Sequence, residues 1–155
     1  MINLRPANYL LQRWVLRRPF LDATIPEYGL RLRVHTNDVI GRHLYKYRRY
    51  EPEVTRLLLA TVRLEPGDVV FDVGANIGWY SLVLDRQAPP GVDILAFEPD
   101  PDNHALLREN LARNGTRGVT AWSFSVFRSC TMNSTGLPSW FVLSSTPTIV
   151  CLVWP

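Results

Sequence analysis

The stretch VVFDVGANIGWYSLVL, from Val69 to Leu84, decides which fold this chain can adopt. Its first residues, Val69 to Val73, form a short apolar run rich in β-branched side chains, which predicts a buried strand. A glycine turn from Gly74 to Gly78 follows, and the pattern from Trp79 onward predicts a helix. A strand that passes so directly into a helix leaves unpaired backbone N–H groups at the carboxyl edge of a sheet, where open α/β sheets bind nucleotide-like ligands.

The spacing within the turn distinguishes two nucleotide-binding patterns. A dinucleotide fingerprint needs small residues at its three glycine positions, and Trp79 at the third is a poor fit. The pattern G-x-G-x-G falls instead on Gly74, Asn76 and Gly78, because Asn is one of the few side chains that tolerate a left-handed backbone. The turn therefore favours S-adenosyl-L-methionine. An NAD-dependent oxidoreductase stays as an alternative that requires Trp79 to be accommodated.

Two carboxylates accompany the turn. Glu98 directly follows the apolar run from Asp93 to Phe97, so we expect it at the carboxyl end of the neighbouring strand. There it can accept hydrogen bonds from both ribose hydroxyls of an adenosine. Asp72 lies inside the first apolar run, where an unpaired carboxylate is costly. We expect it either to accept backbone N–H bonds from the turn or to face the cofactor.

Three motifs at this spacing resemble the FkbM-type methyltransferase family: YEP at Tyr50 to Pro52, FDVGANIG at Phe71 to Gly78, and FEPDPDN at Phe97 to Asn103. The third opens a helix that Asp100 is expected to cap and that Asn114-Gly115 is expected to end. The resemblance covers residues 34 to 115. It implies a doubly wound, Rossmann-like class I fold of α/β type and, usually, methyl transfer from S-adenosyl-L-methionine to a hydroxyl of a sugar or small metabolite.

The residues expected to hold the cofactor are Asp72, Gly74, Asn76, Gly78, Glu98 and Glu51. For Glu51 the family implies a place at the cofactor pocket, and the alternative is a cap on the helix that follows it. For Asp72 the family implies that it organises the loop beside the methionine part of the cofactor. No residue is nominated as a catalytic base.

Charge and cysteine content indicate which other kinds of binding site the chain is expected to have. The 155 residues carry a net charge of +3, with Arg residues spread among the acids, which favours solvated faces over a nucleic-acid groove. We therefore assign no nucleic-acid partner. Cys130 and Cys151 have no metal-ligand spacing, and the three His residues are scattered, so we predict neither a disulfide framework nor a metal site. A cytoplasmic location is the default expectation.

The N-terminal 18 residues contain four Arg and no acid. Leu10, Leu11, Trp14 and Val15 lie there at helical spacing. A basic amphipathic helix could lie on an anionic membrane surface, but we favour packing of this apolar face on the core. The segment lacks the apolar run of about 18 residues that a transmembrane helix needs, so we predict neither such a helix nor a signal segment.

We expect three regions: an N-terminal basic extension (residues 1–33), the N-terminal half of a methyltransferase domain (34–115) and an atypical tail (116–155). All fourteen acids precede the tail, and apolar windows such as Thr148 to Trp154 are typical of aggregation-prone segments. We expect a sheet truncated after its second or third strand, which the tail does not complete. A poorly soluble remnant without methyl transfer is therefore the alternative to an active enzyme.

Overall fold

The computed structural model describes residues 4–123 and 149–153. In chain order the elements are α1 (Arg5–Leu10), β1 (Phe20–Ile25), β2 (Leu30–His35), α2 (Val39–Tyr47), α3 (Pro52–Thr61), β3 (Val69–Val73), α4 (Trp79–Gln87), β4 (Asp93–Glu98), α5 (Pro101–Asn114), β5 (Val119–Ser123) and β6 (Ile149–Val153). A π-helical segment, Leu11–Val15, continues α1.

The central sheet is parallel throughout its described strands, in the order β5-β4-β3-β6. β3 pairs with β4 from Val69 opposite Asp93 to Val73 opposite Phe97, so the two strands end at the same edge. β4 and β5 extend the sheet on one side of β3 and β6 on the other. The strand order therefore reverses at β3, which is where doubly wound sheets bind ligands. This arrangement confirms the predicted α/β, Rossmann-like fold.

Two strands of this sheet, β5 and β6, lie in the tail (residues 116–155), which we expected to remain outside the sheet. β5 pairs with β4, and β6 pairs with β3 from Val69 opposite Ile149 to Val73 opposite Val153. The expectation was wrong because the charge-free, β-branched composition of β6 also suits a strand in a parallel sheet. The expected poor solubility and lack of methyl transfer stay predictions, and residues 124–148 and 154–155 of the tail lie outside the described residues.

An antiparallel hairpin of β1 and β2 precedes the central sheet, with Phe20 opposite His35 and Ile25 opposite Leu30. Two Asn side chains of α5 bond to the outer edge of β2. Asn110 Oδ1 accepts from Arg33 N at 2.7 Å, and Asn114 Oδ1 accepts from Arg31 N at 2.9 Å, while both amide groups donate to the carbonyls of the same two residues. These bonds satisfy backbone groups that an unpaired strand edge leaves open.

The N-terminal helix presents the opposite face from the one we predicted. The side chains expected on the core are exposed, namely Leu10, Leu11, Trp14 and Val15. Tyr9 is buried instead, and its hydroxyl donates a hydrogen bond to the carbonyl of Thr36. Helical spacing identifies an apolar face, but these tertiary hydrogen bonds determine which face is buried. Within the described ranges, no helix has the length and apolar character needed to cross a membrane.

Candidate cofactor site

The glycine turn between β3 and α4 has the left-handed backbone that its sequence predicted. The φ angles of Gly74, Asn76 and Gly78 are 82°, 50° and 90°. Asn76 stabilises its own conformation, since its Oδ1 accepts from Ile77 N at 2.8 Å. The first N–H groups of the turn, those of Gly74 and Ala75, donate to the Phe97 carbonyl at 2.9 and 3.0 Å. The turn is thereby fixed against the end of β4.

Glu98 joins that end of β4 to the turn, as its position after the strand predicted. Its Oε2 accepts from Asn76 N at 2.7 Å and its Oε1 accepts from Asp100 N at 2.9 Å. The residue is only 5% exposed, so these two backbone donors compensate for the burial of its charge. Because a carboxylate has about four acceptor positions, roughly two remain for further donors.

Asp72 has a partner that the sequence analysis did not identify. Its side chain is fully buried, and its Oδ2 accepts from the hydroxyl of Ser81 at 2.5 Å. Ser81 lies in the first part of α4, whose residues from Trp79 to Asp85 are all buried. In the sequence, a polar Ser among the apolar residues at the start of α4 was the signal that could have indicated this bond. Asp72 therefore ties β3 to α4 behind the turn.

Glu51 precedes α3 in a left-handed conformation, with φ 40° and ψ 61°. Its side chain makes no capping bond to α3, so the alternative that it merely caps this helix is wrong. Instead its Oε2 accepts from the hydroxyl of Tyr80 at 2.6 Å. A non-glycine residue held in this region of φ and ψ is strained, by an amount of about 1–3 kcal/mol. Neighbouring structure therefore positions this carboxylate.

A cavity of about 130 Å³ lies between this carboxylate and the turn. Its lining is Ile40, Tyr50, Glu51, Gly74, Ala75, Asn76, Ile77, Trp79 and Tyr80. Of the residues predicted from the sequence, it thus brings together Glu51, Gly74 and Asn76. Glu98 joins this group through the backbone of Asn76. Asp72 and Gly78 do not line the cavity, and they contribute to packing between elements.

Trp79, a poor fit for the third glycine position of a dinucleotide fingerprint, packs towards α3. Its Nε1 donates to Thr55 Oγ1 at 3.1 Å, and its rings meet Tyr28 edge-on with centroids 5.8 Å apart. Thr55 also donates to the carbonyl of Tyr50 at 3.1 Å. One hydroxyl thus connects the turn, α3 and the YEP motif. In the part of the chain that the structure describes, no cluster of three potential metal-ligating side chains occurs.

The tyrosines beside Glu51 are held in their neutral form. Burial, and then the charge and hydrogen bond of Glu51, raise the pKa of Tyr50 to about 12. Burial and the same carboxylate also raise the pKa of Tyr80. The Tyr80 hydroxyl therefore keeps its proton, and its hydrogen bond to Glu51, at a pH where a free tyrosine already ionises.

These shifts predict a loss of stability in alkali. The folded pKa of Tyr50, about 12, lies above its ordinary value of about 10. The protonated Tyr50 hydroxyl therefore stabilises the folded state fully below about pH 10, and this contribution is lost as the pH rises through 12. We expect the free energy of unfolding, measured with denaturant across this pH range, to fall less steeply with pH for Tyr50→Phe than for the unsubstituted chain. Tyr47→Phe, at an exposed tyrosine of α2, is the control. Equal slopes for the three proteins would contradict this prediction.

Comparison with known proteins agrees with the motifs. The chain is 53% identical over 57 residues to 31-O-demethyl-FK506 methyltransferase FkbM of Streptomyces tacrolimicus, covering 37% of this chain and 22% of that protein. It is 35% identical over 103 residues to hexuronic acid methyltransferase AglP of Haloferax volcanii, covering 66% of this chain and 39% of that protein. The resemblance to FkbM-type methyltransferases is thereby confirmed. The chain spans between about a fifth and two fifths of the length of these relatives. No family model matches it.

Solved structures agree with the fold of the described residues. M. jannaschii TYW2 in complex with AdoMet aligns with a TM-score of 0.51 at 21% identity, covering 67% of this chain and 42% of that one. P. horikoshii TYW2 in complex with MeSAdo aligns with a TM-score of 0.50 at 21% identity, covering 68% and 36%. At this identity the likeness shows the fold alone.

Proposed function

We propose that this chain binds S-adenosyl-L-methionine and serves methyl transfer to a hydroxyl of a sugar or small metabolite. The observation that carries the proposal is the hydrogen bond from Asn76 N to Glu98 Oε2. It brings the glycine turn and the acid that ends β4 together at the edge where the strand order reverses. The similarity of the chain to the FkbM and AglP methyltransferases supports it.

The residues at this edge fit the parts of that cofactor. Glu98 retains acceptor positions for ribose hydroxyls, and the turn from Gly74 to Asn76 exposes its backbone to the cavity. Glu51 also lines this cavity, and its carboxylate would favour a cationic amino-acid group there. The cavity, about 130 Å³, is smaller than the roughly 300–1,000 Å³ of typical ligand pockets, so it suits one part of the cofactor. Asp72 and Gly78 support the turn from behind.

The chemistry that the cofactor supplies is an electrophilic methyl group on a sulfonium. Held by Glu98 and the turn from Gly74 to Asn76, S-adenosyl-L-methionine would supply this methyl group to a hydroxyl oxygen of the acceptor. The protein's contribution is positioning of the acceptor and exclusion of water. The oxygen acceptor is supported by the name of the Streptomyces relative, a 31-O-demethyl-FK506 methyltransferase. A sugar is supported by the Haloferax relative, a hexuronic acid methyltransferase.

Calorimetric titration of the full chain with S-adenosyl-L-methionine, S-adenosylhomocysteine and NAD tests the proposal. We expect both sulfur compounds to bind and NAD not to bind. Binding of NAD alone would support the oxidoreductase alternative, which receives no support from the methyltransferases compared above. Binding of S-adenosylhomocysteine without methyl transfer to any hydroxyl acceptor would leave the non-catalytic alternative. Absence of binding by all three would contradict the proposal.

A further inference from the structure

The segment from residue 4 to residue 16 exposes an unusual set of apolar side chains. We call this set the N-terminal apolar face, and its members, with their exposed fractions, are Leu4 (70%), Leu10 (50%), Leu11 (47%), Trp14 (67%), Val15 (68%) and Leu16 (51%). Together they form most of the exposed large apolar side chains among the described residues. Single exposed apolar residues need no explanation, but a cluster of them marks an interaction surface.

Polar contacts on the other side fix the orientation of this helix. Tyr9 is buried, and both its hydroxyl and the Arg13 guanidinium donate to the carbonyl of Thr36, the latter at 2.9 Å. Arg5 donates to the carbonyl of Tyr45 at 3.4 Å. Turning the apolar face inward would break these bonds and leave the Thr36 carbonyl without them, which is costly for a buried acceptor. The helix therefore keeps its apolar face outward.

The charge around the apolar face selects the kind of partner. Residues 1–18 contain four Arg and no acid, and the first acid of the chain is Asp22. Arg17 and Arg18 are exposed directly after the apolar face. Exposed leucines and a tryptophan beside basic side chains are the composition of helices that lie in the interface of anionic membranes. Each Arg near such a surface adds favourable electrostatic energy, since the lipid headgroups are negative.

We propose that the N-terminal apolar face docks on an anionic phospholipid surface. Leu10, Leu11, Trp14 and Val15 enter the boundary between headgroups and acyl chains, while Arg17 and Arg18 contact phosphate groups. The helix lies in the plane of the membrane and does not cross it. Since α1 is tied to Thr36 and Tyr45, this contact would attach the folded domain, and not only a loose terminus, to the lipid.

Sedimentation of the full chain with lipid vesicles tests this proposal. Vesicles of phosphatidylcholine with an equal part of phosphatidylglycerol are compared with vesicles of phosphatidylcholine alone, and a lipid-free sample measures sedimentation of the chain itself. We expect binding to the anionic vesicles to be stronger by about tenfold or more and to weaken with added salt. The double substitution Arg17→Gln and Arg18→Gln should remove most of this preference.

Trp14→Gln tests the apolar contribution, and Leu57→Gln is its matched control. Leu57 is 64% exposed on α3, so its substitution removes a similarly exposed apolar side chain outside the N-terminal apolar face. We expect Trp14→Gln to weaken vesicle binding by about tenfold and Leu57→Gln to leave it nearly unchanged. Equal binding to both lipid compositions, equal effects of the two variants, or no binding would overturn the proposal. So would a dimer in analytical ultracentrifugation that Trp14→Gln dissociates, because the face would then be covered by a second copy.

Discussion

Glu98→Ala is expected to weaken S-adenosylhomocysteine binding by about 1.5–3 kcal/mol, which is roughly a 10- to 150-fold rise in Kd. This is the range for hydrogen bonds to a charged group, and we propose that Glu98 accepts such bonds from the ribose hydroxyls. The same carboxylate also holds the N–H groups of Asn76 and Asp100. Alanine therefore removes a ligand contact and also loosens the turn that forms the cavity.

Calorimetry separates these two consequences when it is combined with denaturant unfolding. Glu98→Gln keeps one carbonyl acceptor for the backbone donors but removes the charge, so it should recover part of the stability and less of the binding. Glu65→Ala is the control, because Glu65 is exposed in the turn before β3, at the opposite end of the strands. If the Glu98→Ala variant folds and binds S-adenosylhomocysteine with unchanged affinity, Glu98 does not contact the ligand.

The sequence predicted the parts of this site that depend on local backbone geometry. Asn76 and the glycines around it indicated a left-handed turn, and the structure has that turn. Asp100 was expected to cap the helix after β4, and its Oδ1 accepts from the N–H groups of Asp102 and Asn103. Such signals could be interpreted from one sequence because only a few neighbouring residues determine each of them.

Contacts between distant segments could not be predicted in this way. The hydroxyl of Tyr80 meets Glu51 across twenty-nine positions of sequence, and Asn110 meets the backbone of Arg33 across seventy-seven. Nothing in the local pattern around either residue specifies its partner. The orientation of α1 was wrong for the same reason, since the bond from Tyr9 to Thr36 determines which face of the helix is buried.

The pairing of β6 was wrong for a different reason. The apolar window around Ile149–Val153 favours a strand, but a single sequence does not say which strand edge it meets. We interpreted its charge-free composition as a tendency to aggregate. In the structure the same composition pairs with β3 inside the chain. An unpaired edge of β3 could pair with another chain and aggregate, and pairing with β6 prevents this.

Gly78→Val is expected to have the largest effect on the fold. From the sequence alone, we expect this substitution to abolish ligand binding by crowding the ligand at the turn. The structure points instead to α5, because a Cβ at Gly78 would lie 2.7 Å from Leu107 Cδ1, a fully buried side chain. Gly78 also has a φ of 90°, which a β-branched residue adopts only under strain. Val at this position should therefore displace α5 from the turn.

The expected loss of stability combines two terms, about 1–3 kcal/mol for the backbone strain and about 1–3 kcal/mol for overpacking. Their sum is a large part of the roughly 5–15 kcal/mol that stabilises a typical domain, so cofactor binding should be lost through unfolding. Gly67→Val isolates the first term. Gly67 has a similar φ of 97°, but no described atom lies within 4 Å of a Cβ placed there. Denaturant unfolding of both variants should show the greater loss for Gly78→Val. Equal losses would mean that Leu107 moves aside freely, and that the close packing of α5 on the turn does not hold the cofactor site in place.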